Sequence, residues 1–496
     1  MPLHRVDFQK PHPLFDVAAT RRIEQAAFAR VHPHTLMQRA GLAVARLGLA
    51  LAPHSRTIWI ACGPGNNGGD GLEAAMHLKN WGKNPIVTWL GDAAQCPDDA
   101  RASLQRARSA GVLFAREPPR DLDAADLAID ALLGVGATRP PEGKMLDWLL
   151  RMNRGAATLL AVDLPSGLSA DTGVYAPGMI AAQDQYTRAL GTFGTKNTIS
   201  LLNLKPGLFT GHGRDAAGSV WLDDLGCDPG SEPPTAMLIG APTERDRLHS
   251  SHKGSFGDIA VIGGAPGMTG AVLLAATAAL FGGAGRVYAC PLDGGALLLD
   301  PGKPDLMFRQ PNALDLAKLT VVCGCGGGDA VKSVLPRVLE QAERALLDAD
   351  ALNAVAADPA LQDALKARAT RGQGSVLTPH PLEAARLLGS DAKSVQADRL
   401  AAATQLAHRF GCTVVLKGSG TVIAEPGRRP AINPTGNARL ATAGTGDVLA
   451  GMVGARWAAS ESGWDAACAA VYHHGLVADR WPEGQPLTAS RLARGG

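Results

Sequence analysis

Short continuous apolar runs alternate with helix-length segments along most of this chain, and that alternation restricts the fold more than any other feature. The first half carries strand-length runs at TIWIAC (57–62), NPIVTWL (84–90), DLAIDAL (126–132), TLLAVDL (158–164) and RALGTFG (188–194). The second half carries them at GDIAVIGG (257–264), GRVYAC (285–290), LTVVCGC (319–325), RALLDA (344–349), GSVLTP (374–379), CTVVLKG (412–418) and TVIAEP (421–426). A strand apolar on both sides is covered on both sides, and parallel strands need helical crossovers. Each half is therefore expected to be an α/β three-layer sandwich around a parallel sheet. At 496 residues the chain exceeds one ordinary core. The proline-rich, weakly apolar LGCDPGSEPPTA (225–236) reads as the joint, giving domains 1–226 and 241–496 with a linker over 227–240.

Charge and cysteine usage remove several classes of partner. Lys plus Arg at 48 against Asp plus Glu at 46 leaves a net charge of +2, which gives no electrostatic basis for nucleic acid or an anionic membrane. A small-molecule ligand is expected instead. The eight cysteines lack the paired C-x-x-C spacing of a structural zinc site and read as reduced thiols of a cytoplasmic protein. MPLHRVDFQKPHPLFDV, at the start, has no apolar core of signal-peptide length. Residues 259–285 carry no charge, but GGAPGMTG interrupts them, so they read as strand, loop and buried helix rather than a membrane span.

The loop CGPGNNGGDG (62–71) follows the first strand and opens a helix. Gly63, Gly65 and Gly68 satisfy the dinucleotide spacing, and Asp92 follows the next strand. However, Asn66, Asn67 and the Asp70 carboxylate stand where a bare backbone would meet a pyrophosphate, which disfavours plain hydride transfer with NAD. Oxygen-bearing side chains suit a hard cation and a polyhydroxylated or amide ligand better. Asp130, and Asp163 with Ser166, close two further strands and could join the loop in one crevice; each aspartate taken alone also reads as a turn cap.

GPGNNGGDG, DALLGVG and VDLPSG together resemble the NAD(P)HX epimerase domain, also called the YjeF N-terminal domain, over about Arg21 to Gly226. The resemblance implies a Rossmann-like fold and a site for hydrated NADH or NADPH. Asn66, Asn67, Gly68, Gly69 and Asp70, then Gly134, Val135, Gly136, Ala137, Thr138, Arg139 and Pro140, and finally Asp163, would contact this ligand. Asn67, Asp130 and Ser166 would hold a potassium ion, and Asp163 would be the acid/base for epimerisation at C6.

In the second half, GTGDVLAG (444–451) puts Asp447 behind a glycine turn and ahead of an apolar helical run. A helix start offers free N–H groups to a phosphate, and an acid there either caps the helix or takes a proton. Lys417, followed by Gly418, Ser419, Gly420 and Thr421, makes a turn suited to a nucleotide phosphate, although a solvated strand-end lysine is the plainer reading. His380, between Pro379 and Pro381, is equally a turn histidine. No Walker sequence is present.

KGSGT, INPTGN and AGTGDVLAGM resemble the ribokinase-like superfamily, and TPHPLEAARLLG with LLDADALN narrows this to the ADP- or ATP-dependent NAD(P)HX dehydratase over about His249 to Asp479. The resemblance implies nucleotide contacts from Lys417 to Thr421 and at Gly446, and hydrated-cofactor contacts at Ala271, Gly326, His380 and Asp447, with Asp447 catalytic. It also implies ADP as co-substrate, with ATP as the alternative, together with Mg2+. The expected partners are NADHX, NADPHX and ADP, and a homo-oligomer is expected. A kinase for a vitamin alcohol, with an accessory or scaffolding first half, is the competing reading.

Overall fold

The computed structural model describes residues 3–137, 139–176, 179, 194–243, 248–459 and 462–495. The run expected as a strand at 188–194 lies outside these residues except for Gly194, and so does Thr138. The chain forms two compact units that divide between Thr235 and Ala236, and residues Phe8–His12 belong to the second.

The first unit is built on an eight-stranded sheet. Across it the strands run His4–Arg5, Ser219–Asp223, Lys196–Leu201, Thr158–Val162, Leu127–Ala131, Ile58–Cys62, Pro85–Trp89 and Leu113–Ala115. All neighbours are parallel except His4–Arg5, which pairs antiparallel with Ser219–Asp223. Ile58 to Cys62 are fully buried, as a strand covered on both faces must be. Lys196–Leu201 and Ser219–Asp223 are not among the strands expected from apolar runs. Asn197, Thr198 and Ser200 are polar yet buried, and the hydroxyls of Thr198 and Ser200 donate to the carbonyls of Ala217 (2.9 Å) and Asn203 (2.7 Å). Satisfied polar groups of this kind do not register as an apolar run.

The second unit repeats the plan. Met307–Phe308, Arg286–Pro291, Asp258–Gly263, Thr320–Cys323, Arg344–Leu347, Gly374–Leu377 and Thr413–Leu416 are successive parallel neighbours. Val422–Ala424 and Ala431–Ile432 then follow antiparallel. Both halves are thus the α/β sheets the alternation predicts.

In each sheet one strand lies between later strands on both sides, Ile58–Cys62 between Pro85–Trp89 and Leu127–Ala131, and Asp258–Gly263 between Arg286–Pro291 and Thr320–Cys323, so the chain leaves it in both directions. In the first unit the loops at that switch point border a cleft, the usual ligand position in an open α/β sheet. Backbone contact holds the two loops there. A Cβ on Gly63 would stand 1.9 Å from the Leu132 carbonyl oxygen, and one on Gly263 would stand 2.2 Å from that of Cys325.

Among the described residues no helix is long and apolar enough to cross a membrane. Helix Thr445–Ala458 packs on helix Thr269–Phe281, and a Cβ at Gly451 would sit 2.0 Å from the Ala275 carbonyl oxygen. Gly451→Ala should therefore push these helices apart and destabilise the second unit by roughly 1–3 kcal/mol. Scanning calorimetry checks this: an unchanged melting profile would show that the contact is not tight.

Candidate active sites

In the first unit, helix Asn66–Asn80 starts inside the stretch expected as a loop, with Gly65 at its N-cap, so Asn66 to Asp70 lie in its first turns. Beside it lies a cleft of about 490 Å³. Asn66, Asn67, Asp70, Gly134 to Ala137, Arg139 and Asp163 line this cleft together. Gly68 and Gly69 are buried behind it, Gly69 against Met37 and Ala100, and Pro140 is not part of the lining. Asp130 and Ser166 lie beneath. The Ser166 hydroxyl donates to Asp130 Oδ1 at 2.7 Å, the Ser166 amide donates to Oδ2 at 2.9 Å, and the Leu133 amide donates to Ser166 Oγ at 2.8 Å.

Asp163 follows strand Thr158–Val162 with φ at +67°, a left-handed conformation that non-glycine residues seldom adopt. This turn brings its carboxylate against Lys205, whose Nζ donates to Oδ1 at 2.5 Å and to the Leu201 carbonyl at 2.7 Å. Lys205 is 0% exposed. Oδ2 accepts from the Val135 amide at 3.3 Å, on the cleft side. Burial, then the charges of Asp163 and Glu24, raise the Asp70 carboxyl well above its ordinary range. This shift favours the neutral form, which donates a hydrogen bond and repels an anionic ligand less than a carboxylate would. Burial also raises Asp130, against the hydrogen bonds from Ser166 that lower it. Sequence reasoning did not single out Lys205 or Glu24; a lone lysine in LNLKPG carries no pattern that marks it.

In the second unit, Gly444 takes the N-cap of helix Thr445–Ala458 in a left-handed conformation, and no side chain caps this helix. Asp447 in the first turn is thus not the cap. Its carboxylate meets the ends of neighbouring strands: Cys325 Sγ and one carboxylate oxygen each from Asp348 and Asp447 lie within 4.8 Å of one another. Lys417 Nζ donates to Asp348 Oδ1 at 2.6 Å, and a Cβ on Gly446 would lie 3.4 Å from Nζ. Lys417, Gly446 and Asp447 therefore converge. Burial, then the Asp348 charge, pushes the Asp447 carboxyl up to about 6. Beneath, the buried His474 Nε2 lies 2.9 Å from the Thr445 carbonyl oxygen, and burial lowers this imidazole to about 4, so it is neutral and donates.

The turn after Lys417 is fixed from below by Arg399, whose Nη2 donates to the carbonyls of Leu416 and Lys417, both at 3.1 Å. Thr421 Oγ1 donates to the Gly418 carbonyl at 3.0 Å; Ser419 is exposed and Gly420 buried. Ala271 and Gly326 adjoin at the switch point, where a Cβ on Gly326 would stand 2.8 Å from that of Ala271. His380 is the turn histidine of the plainer reading: its Nδ1 accepts from the amides of Leu382 and Glu383 and caps helix Pro381–Leu388. Asp348 and Cys325 were not singled out from the sequence.

Known proteins match both units. Residues 33–195 match the family described as YjeF-related protein N-terminus, and residues 259–494 match NAD(P)H-hydrate dehydratase. The bifunctional NAD(P)H-hydrate repair enzyme Nnr of Escherichia coli (strain K12) is 34% identical over 494 residues, covering 95% of this chain and 90% of that protein. Its namesake from Moorella thermoacetica is 35% identical over 489 residues, covering 90% and 87%. The ADP-dependent (S)-NAD(P)H-hydrate dehydratase of Neisseria meningitidis serogroup B is 42% identical over 255 residues, covering 50% of this chain and 84% of that protein. With relatives aligned across both units, the chain belongs to the family of bifunctional NAD(P)H-hydrate repair enzymes.

Proposed function

We propose that the first unit interconverts the R and S forms of hydrated NADH and NADPH at C6, and that the second dehydrates the S form while converting ADP to AMP and phosphate. The observation that carries the reading is the convergence of Asp447, Lys417 and Gly446 at a helix start, in a chain whose relatives align over both units. Those relatives favour it over a small-molecule kinase with an accessory first unit.

Hydroxide leaves C6 of the hydrated ring poorly, and a phosphate ester leaves well. In the proposed reaction Asp447 takes the proton of the C6 hydroxyl as its oxygen attacks the terminal phosphorus of ADP, and the bond to AMP breaks. The ring nitrogen then expels phosphate from C6, and loss of a proton from C5 restores the dihydropyridine. The amides of the first turn after Gly444 stabilise charge on the transferring group, and the turn from Lys417 to Thr421 holds the nucleotide. Ala271, Gly326 and the exposed edge of His380 belong to the hydrated-cofactor side of the same reading.

Magnesium would enter with the nucleotide held by the turn from Lys417 to Thr421 and would supply positive charge to its phosphates. The cluster of Cys325, Asp348 and Asp447 does not suit it as a resident ion. Burial holds the Cys325 thiol far above its ordinary range and thus protonated, and Asp348 already pairs with Lys417. In the first unit Asn67, Asp130 and Ser166 would hold potassium. Their oxygens suit a hard cation, and the Asn67 amide nitrogen is buried without a partner, so turning that amide over exchanges it for an oxygen donor. Potassium there would supply positive charge below the cleft. Asp163, fixed by Lys205, is the acid/base. Eight free thiols are consistent with a reducing, cytoplasmic setting.

A mixture of hydrated NADH epimers, ADP and magnesium should regain the absorbance of reduced nicotinamide to completion with the intact chain. Asp447→Asn should keep the fold and ADP binding but lose at least ~100-fold in dehydration rate; full activity in that variant would remove the assignment. Asp163→Ala should stop recovery after the S form is consumed, and continued conversion of the R form would contradict its role. Because the Asp447 carboxylate must be ionised to accept a proton, kcat/KM for dehydration should fall as pH drops through about 6. A flat profile down to the ordinary carboxylate range would contradict this.

A further inference from the structure

Asp348 follows strand Arg344–Leu347 and stands at the N-cap of helix Ala349–Ala357, where an aspartate ordinarily accepts from the exposed amides of the first turn. Here no side chain caps that helix. The carboxylate, in a residue 1% exposed, turns inward and accepts from Lys417 Nζ at 2.6 Å and from Thr378 Oγ1 at 2.8 Å. The next residue, Ala349, is left-handed at φ +48°, a conformation an alanine adopts only under constraint. A forgone cap and a strained alanine both follow from aiming this one carboxylate at the site.

We propose that Asp348 is a positioning residue of the dehydratase: it fixes the Lys417 ammonium beside the nucleotide turn and, by its own charge, keeps Asp447 a competent proton acceptor. The inference rests on the reading of Asp447 as the base. The groups facing Asp447 are Cys325, Asp348, Lys417 and Asp350. After burial, the charge of Asp348 does most to raise the Asp447 carboxyl, and Lys417 opposes it. Burial on its own would lower the Lys417 ammonium, yet Asp348 and Glu383 hold it above its ordinary value, so it stays charged. Neutralising Asp348 therefore acts twice in one direction: a negative neighbour of Asp447 is lost, and a cation is freed to pair with it. Both changes make Asp447 a weaker base.

The test is the pH profile of kcat/KM for dehydration of (S)-hydrated NADH by the full chain with ADP and magnesium. Asp348→Asn should move the acid limb down from about 6 toward the ordinary carboxylate range, lower kcat by about tenfold, and change the KM for ADP less than kcat. Asp348→Glu, which keeps the charge, should hold the limb near its wild-type position. A folded Asp348→Asn protein whose limb stays with the wild type overturns the inference. If that variant shows no cooperative melt, Asp348→Glu decides: a limb near the wild-type value supports the inference, and one in the ordinary carboxylate range overturns it. Asp447→Asn, run alongside, separates the two claims. Full activity there removes the base itself, whereas a limb lost in Asp447→Asn and unmoved in Asp348→Asn removes only the role of Asp348.

Discussion

A carboxylate at the end of a buried parallel strand has to be matched by a cation or by donors, and the rest of each site follows from how that is done. Removing one member of such a pair typically costs about 3–5 kcal/mol, because the other charge is left buried alone. Each unit uses a strand-end aspartate with a lysine against it, Asp163 with Lys205 and Asp348 with Lys417. The two pairs are oriented oppositely. In the first, the lysine side chain is 0% exposed and the aspartate 11%; in the second, the aspartate is 1% exposed and the lysine 19%. The first unit thus offers an acid to its cleft and the second offers a cation, which suits proton transfer at a hydroxyl in one and a nucleotide phosphate in the other.

The Asp163–Lys205 pair borders the cleft of the first unit. Gly63 lies under the Leu132 carbonyl and Gly263 under that of Cys325, so in both units the two loops flanking the switch point touch backbone to backbone. The contact leaves no room for a side chain at either glycine. It also carries the following segment, Gly134 to Ala137, to the rim of the cleft in the first unit, and sets Gly326 against Ala271 in the second. Loop position is therefore set by main-chain packing, and the candidate catalytic side chains are carried on strand ends and first helical turns.

Much of this is legible in the sequence because the informative features are local. Continuous apolar runs mark strands such as Ile58–Cys62 and Thr320–Cys323, glycines beside Asn67 and Asp447 mark helix starts, and the VDLPSG stretch around Asp163 marks a strand end. What is not legible depends on distant partners. Lys205 lies 42 residues from Asp163, and Lys417 lies 69 from Asp348, so neither pairing leaves a spacing to read. Asp348 resembles an ordinary N-cap until its carboxylate is seen turned away from the helix. Lys196–Leu201 reads as too polar for a core strand because its hydroxyls are satisfied by carbonyls that the sequence does not place beside them.

The opposite orientation of the two lysine pairs also bears on why two sites are joined in one chain. Epimerisation at C6 calls for an acid/base with no phosphorus nearby, since a phosphate ester formed there would commit the ring to losing its oxygen. Dehydration needs that commitment, and it needs a cation to hold the nucleotide. A single crevice would hold the epimer being interconverted beside the terminal phosphorus of the nucleotide, so its oxygen would be committed to leaving before it could be inverted. Separate sheets avoid that conflict, and a single chain supplies the two sites in equal number, so that capacity to interconvert the epimers is always made together with capacity to remove one of them.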